Sequence, residues 1–185
     1  MSRYPVHTID SAPTQSKPVL EQVKQAFGVI PNIAGAMAGS PVLIGGFFPL
    51  FQKVHSGSLT EAQIQTLLLT NAVTNACEWA VAFHSVLALQ QGLSRADVDA
   101  IRHGEVPHMA DLAALSTLAR TLIEKRGRLS DADQTRFLDA GFRAEQVLEV
   151  IAVVAASTIT NYTGSVTQPP LEAAFQEFAW HAVEA

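Results

Sequence analysis

Apolar positions along the chain recur at helical spacing in separate runs. Gly, Pro and capping residues divide them. Ile64, Leu67, Leu68 and Ala72 follow Thr60 and Gln63, a capping box with Leu59 and Ile64 as its staple. This predicts a helix from Thr60 to about Val73. Asn75 and Glu78 repeat the N-cap signature, which predicts a break at 74–76 and a helix from Cys77 to about Gln91. In that reading Cys77 is the second helical residue. Ser94 with Asp97 caps a short helix ending at Gly104, and Ser130 with Asp133 caps another stopped by Gly141. Between them, Leu112, Leu115, Leu118, Ala119 and Leu122 mark one face of a helix over 111–125. The most apolar helix runs from Arg143 or Ala144 to about Thr160. Pro169-Pro170 interrupts the chain, and Leu171 to Val183 is predicted as a last helix with Phe175, Phe178 and Ala179 inward.

The N-terminal third is less regular. Residues 1–17 read as an irregular arm. Ser16 and Pro18 open a helix through about Phe27, with Gly28 as its stop. Pro31 starts a helical turn to about Gly39. Ser40-Pro41 starts a helix to about Ser56, weakened by Gly45, Gly46 and Pro49. No run alternates with period two. The chain is therefore read as all-α, a compact bundle of eight to ten helices, with one domain over 18–185. Gln63-Ile64 with Leu67-Leu68 is faintly echoed by Gln146-Val147 with Val150-Ile151, which two duplicated helices or any two core helices would produce.

Composition narrows the function classes. A chain of 185 residues fits one domain. Its formal net charge is −5 and it has no basic run, which argues against nucleic acid and anionic membrane as partners. Residues 25–52 carry no charge, but three prolines and five glycines break them too often for a spanning helix. Charged residues make up only 16% of the chain, so surface is expected to be lost in a homo-oligomer interface, with the glycine-rich 35–46 region its expected place. The single cysteine excludes an internal disulfide and suits a reducing, cytoplasmic location. No histidine pair has H-x-x-x-H spacing, so neither a metal nor a cofactor is expected.

Candidate chemistry concentrates in Asn75 to His84. A thiol near the start of a helix faces unpaired backbone N–H groups and the positive end of the dipole, which should lower its pKa. His84 lies about 20° from the same helix face but roughly 10.5 Å further along the axis, so a Cys77–His84 relay needs a water or another group between them. The alternative is that Cys77 is a small buried hydrophobe and His84 a satisfied core histidine. Glu78 is explained by capping. Glu149 is either an exposed acid near a helix start or a buried carboxylate facing the first core helices. His55 and His103 read as polar helix-end residues, and His181 as solvent-facing.

The segment resembles the AhpD-like alkylhydroperoxidases of the carboxymuconolactone decarboxylase superfamily. Their motif is Cys-x-x-Cys with His four residues later, and a Glu twelve residues before the first Cys. Gly28-Val29-Ile30-Pro31-Asn32 with Ser40-Pro41, and Gly141-Phe142 to Asn161-Tyr162, are similar to signatures of the peroxidase-related branch. The resemblance implies catalytic roles for Cys77 and His84. It also marks two degenerate positions: Ala80 stands where the second cysteine belongs, and Gln65 where the glutamate belongs. Without the second thiol no intramolecular disulfide forms, and Gln65 takes up no proton at neutral pH.

Three functions are expected to compete. The first is a thiol oxidoreductase with one peroxidatic cysteine, taking a peroxide and needing an external thiol reductant. The second is a lyase or isomerase of a small organic acid. The third is a non-catalytic helical oligomer or small-ligand binder.

Overall fold

The computed structural model describes residues 3–182. Among these the chain is helical without a strand, as the periodicity predicts. The elements are α1 (Lys17–Phe27), α2 (Asn32–Met37), α3 (Pro41–Val54), α4 (Glu61–Thr74), α5 (Glu78–Gln90), α6 (Arg95–Arg102), α7 (Ala110–Glu124), α8 (Asp131–Asp139) and α9 (Ala144–Thr167). Two 3-10 turns, Thr14–Ser16 and Ala173–Phe178, complete them.

α4 is the central helix. Ile64 through Ala72 are all buried, on every side of it. Such a helix must be covered all round, and α5, α6, α7 and α9 do so. Its capping box forms as the sequence predicts: the Thr60 hydroxyl accepts from Gln63 N, and the Gln63 amide oxygen accepts from Thr60 N at 3.1 Å. Gln146 repeats this device in α9, accepting from Arg143 N at 2.9 Å. The sequence echo thus reflects two similar helix starts. The burial differs, because Leu67 and Leu68 are both buried whereas Ile151 is 44% exposed.

The α4–α5 junction departs from the sequence expectation. Asn75 closes α4 instead of opening α5. Ala76 takes the left-handed conformation at φ 52°, and its N–H donates to Val73 O while Cys77 N donates to Ala72 O at 2.9 Å. This is a Schellman closure, built on an alanine where glycine is usual. Cys77 then becomes the N-cap of α5, at φ −94° and ψ 95°, and not its second residue. An alanine gives no signal for a left-handed turn, so the Asn75 signature misled.

α9 runs past Thr160 to Thr167, and the Thr163 and Thr167 hydroxyls donate to carbonyls one turn earlier at 2.7 Å, so they do not compete with the helix for solvent partners. By length and composition α9 could cross a membrane, but it packs against α2, α3, α4, α5 and α7. Gly164 permits the approach to α5, since a Cβ there would lie 2.7 Å from Cys77 Sγ.

Beyond α9 the expected last helix is only the 3-10 turn Ala173–Phe178, and Ala179 is exposed rather than inward. Its far end, Val183, lies outside the described residues. Side chains hold this segment down. The Glu172 carboxylate accepts from Asn32 N at 2.7 Å and from Trp79 Nε1 at 2.9 Å, while the Arg102 guanidinium donates to Phe178 O and Ala179 O. The N-terminal arm is tied by His7 N donating to Gly35 O at 3.0 Å. Gly35 and Gly39 are therefore covered within the chain, with Val6 and His7 against them, while Gly45 and Gly46 face open space.

Gly164→Ala should lower stability by about 1–3 kcal/mol despite its better helix propensity, because the new methyl meets Cys77 Sγ. Adding Cys77→Ala should restore most of the loss. Denaturant unfolding of the single and double variants measures both, and a Gly164→Ala protein more stable than the parent would contradict the packing.

Candidate functional site

Cys77 and His84 sit at opposite ends of the first two turns of α5, which also carry the Trp79–Phe83 stack, with centroids 4.8 Å apart. Both are buried, Cys77 to 1% and His84 to 5% exposure. No hydrogen bond joins them. Ala80 is fully buried.

The Cys77 sulfur packs on Gly164. It faces the N–H groups of Ala80 and Trp79 and the hydroxyl of Ser165, without a cap hydrogen bond of ordinary geometry. Burial pushes its pKa up, and the Glu78 carboxylate adds to this. The Ala80 N–H, Ser165 hydroxyl and Trp79 N–H pull the other way and do not win. The expected lowering is thus overturned: the helix N-terminus is present, but desolvation outweighs it. A surface cleft of about 690 Å³ lies near this end of α5, lined by Ala76, Glu78, Trp79, Ser165, Trp180 and His181 but not by Cys77 itself. Glu78 does not cap α5. It bonds His181 Nδ1 at 3.2 Å across this cleft, and His181 is otherwise solvent-facing.

His84 belongs to a different space. Its Nδ1 lies 3.0 Å from Gln65 Oε1. An amide oxygen only accepts, so Nδ1 carries the proton and Nε2 is left as an acceptor. Burial holds the imidazole neutral, with a pKa of about 3, and the nearby His55 adds to the effect. Gln65 thus keeps the contact to His84 that a carboxylate would make, without a charge. His84 borders an apolar slot among Ile33, Phe48, Phe51, Trp79 and Phe83, and also a second cavity of about 260 Å³ towards α3.

Glu149 goes to neither place. Its Oε2 accepts from Ser58 N at 2.8 Å and fills the space beside Gly57, so it anchors the loop after α3. Sequence reading missed His55, whose ring turns inward over Phe51 at 4.4 Å with Nδ1 on the Glu61 carboxylate. Glu61 at the start of α4, six residues on, was the available signal. Among the described residues no group of three or more His, Cys, Asp or Glu gathers closely enough to hold a metal.

No family model and no curated protein matches the chain. Solved structures do. A peroxidase-related protein from Ralstonia eutropha, described as an alkylhydroperoxidase AhpD core, is 18% identical over 94% of both chains with a TM-score of 0.82. A peroxidase-related protein from a Silicibacter species is 15% identical over 94% of this chain and 92% of its own, at 0.77. A cysteine-to-alanine variant of the debrominase Bmp8, in complex with 2,3,4-tribromopyrrole, is 18% identical over 96% of both, at 0.75. The chain therefore has the AhpD-like fold.

The pKa of His84 makes an acid prediction. Its folded value, about 3, lies below the unfolded value of about 6.5. Between these pH values the unfolded chain binds the extra proton, so this contribution is whole above pH 6.5 and is lost as pH falls towards 3. The slope should approach about 1.4 kcal/mol per pH unit, and His84→Gln should remove it. Unfolding curves of both proteins from pH 7 to pH 4 give the difference, and parallel curves would refute a neutral buried His84.

Proposed function

We propose that the chain is a one-cysteine thiol oxidoreductase built on the AhpD-like scaffold, with Cys77 as the reacting thiol. The observation that carries this is the setting of its sulfur at the N-cap of α5, ringed by the Trp79 and Ala80 N–H groups and the Ser165 hydroxyl, next to a cleft. These donors favour the thiolate once the cover opens. The peroxidase-related neighbours, and the debrominase held with a brominated pyrrole, support redox chemistry on a small substrate.

The sulfur attacks one oxygen of a hydroperoxide and the O–O bond breaks. The thiol proton goes to the departing oxygen, giving Cys77 sulfenic acid and an alcohol. Ala80 has no thiol, so an external thiol condenses with the sulfenic acid and releases water. A second external thiol then frees Cys77 and leaves as a disulfide. His84 is neutral, bonds Gln65 instead of the thiol, and takes no proton-transfer part in this scheme. The chemistry suits a reducing, cytosolic setting and uses no metal or cofactor.

Gly164 of α9 lies over the thiol, and the 3-10 segment after α9 lines the neighbouring cleft through Gln176, tied down by Glu172 and Arg102. Opening this segment is a local event rather than global unfolding. A second reading is a binder or lyase-type chamber at His84 with Cys77 inert, and the burial of Cys77 favours that reading.

Mass spectrometry after peroxide treatment with a sulfenic-acid trap decides between them. Trapped sulfenic acid at Cys77 is expected, with over-oxidation when no thiol is present, and Glu172→Gln should speed it roughly tenfold by loosening the segment that lines the cleft. A Cys77 still reduced in both proteins after long exposure would overturn the thiol reading.

Self-association is part of the same proposal. Val42 on α3 is 88% exposed, and Tyr162 and Val166 on α9 are 61% and 62% exposed. This surface lies at α3 and α9, beyond the glycines at 35 and 39. Light scattering at micromolar concentration should show a homo-oligomer, and Val166→Glu should yield monomer. A monomeric parent protein would end the idea.

A further inference from the structure

The thiol scheme leaves its external thiol unnamed, and the cleft at the start of α5 narrows the choice. Glu78, Trp79, Gly164 and Ser165 all line that cleft. Gly164 is also the residue against the sulfur, since an added Cβ would lie 2.7 Å from Cys77 Sγ. At this point the partition between sulfur and cleft is a residue without a side chain. Ile33 packs beside the same point and lines the apolar slot, whose walls hold no Asp, Glu, Lys or Arg among the described residues.

The cleft, in contrast, carries fixed charge of one sign. Glu78 is its carboxylate, and no Lys or Arg lines it among the described residues. The Glu78 side chain is 53% exposed, follows Cys77 directly in the chain, and acts on the thiol by opposing loss of its proton. Charged groups behind the walls are engaged elsewhere. Glu172 accepts from Asn32 N and Trp79 Nε1, and Arg102 donates to the Ser85 hydroxyl and to the Phe178 and Ala179 carbonyls. The one group opposing Glu78 is His181, 3.2 Å away and itself 85% exposed. Trp79 and Trp180 bring indole rings to the same walls, and such rings attract ammonium groups.

We propose that the external thiol is an aminothiol, with an ammonium group and no carboxylate, and that Glu78 selects it from the cleft. This rests on the thiol reading of Cys77. The aminothiol sulfur bonds to the Cys77 sulfenic sulfur, and the hydroxyl leaves as water with the thiol proton. A second aminothiol then breaks the mixed disulfide, returning Cys77 as a thiol and leaving as the diamine disulfide. Glu78 holds the ammonium group through both steps and exchanges no proton.

Thiol–disulfide exchange on the whole chain, followed by mass spectrometry, tests this. The probes are cystamine, with two ammonium groups, and dithiodipropionate, with two carboxylates. Each rate is divided by the same probe's rate with N-acetylcysteinamide. Cystamine leaves on Cys77 the mixed disulfide that the aminothiol would form. Both probes meet one thiol in one protein, so its burial and its pKa cancel in the ratio. Cystamine should be favoured roughly fivefold at low salt, and less as salt is added. Glu78→Gln should abolish the preference, Glu78→Lys should invert it, and His181→Gln should widen it. Equal normalised rates, a preference surviving Glu78→Gln, or exchange with neither probe would overturn the proposal. Peroxide is absent from this experiment. A chain that shows the preference but gives no sulfenic acid would therefore refute the peroxidatic step and leave the charge selection standing.

Discussion

Everything at the site depends on one left-handed residue. Ala76 at φ 52° lets α4 finish and α5 begin with only Asn75, Ala76 and Cys77 between them. The two helices are then held close and side by side. That geometry sets Gln65 of α4 3.0 Å from His84 of α5. It also turns the sulfur of Cys77 inward, where Gly164 of α9 closes over it. A non-glycine residue in this conformation costs about 1–2 kcal/mol. The burial of α4 on all sides supplies enough packing to hold it there.

Burial then sets the electrostatics. Cys77 and His84 are both driven to their neutral forms by desolvation, although one sits at a helix N-terminus and the other beside a polar amide. Charge is kept at the rim: Glu78 lies on one cleft, Glu61 on the other cavity, and Glu172 ties the covering segment. The interior presents hydrogen-bonding atoms in an apolar frame. Such a frame suits small, weakly polar molecules better than ions. Trp79 has its indole N–H on Glu172 and its face on Phe83, so it borders both the cleft near Cys77 and the apolar slot.

The tail after α9 has little regular structure and yet is well fastened. Glu172 reaches both α2 and α5, Arg102 holds two carbonyls, and Phe175 meets the edge of Phe83 at 5.1 Å. These contacts are largely part-buried and join the tail to α2, α5 and α6.

Local signals in the chain determined most of the helices. The capping residues Ser40, Thr60, Ser94 and Ser130 lie where the sequence places them, because a cap acts within a single turn. The face of α7 from Leu112 to Leu122 is buried as its spacing predicts. The expectation for Cys77 and His84 came from motif spacing. Only the tertiary structure decided their state. The sign of the Cys77 pKa shift depends on α9 closing over the sulfur, and burial by a distant helix leaves no mark in the neighbouring sequence. The separation of Cys77 from His84 depends on which side chains fill the space between them. The place of Glu149 at the loop after α3 depends on how α9 crosses it. The inward turn of His55 depends on Glu61 arriving from the next helix to hold it. Each is a contact between elements, and sequence periodicity describes one element at a time.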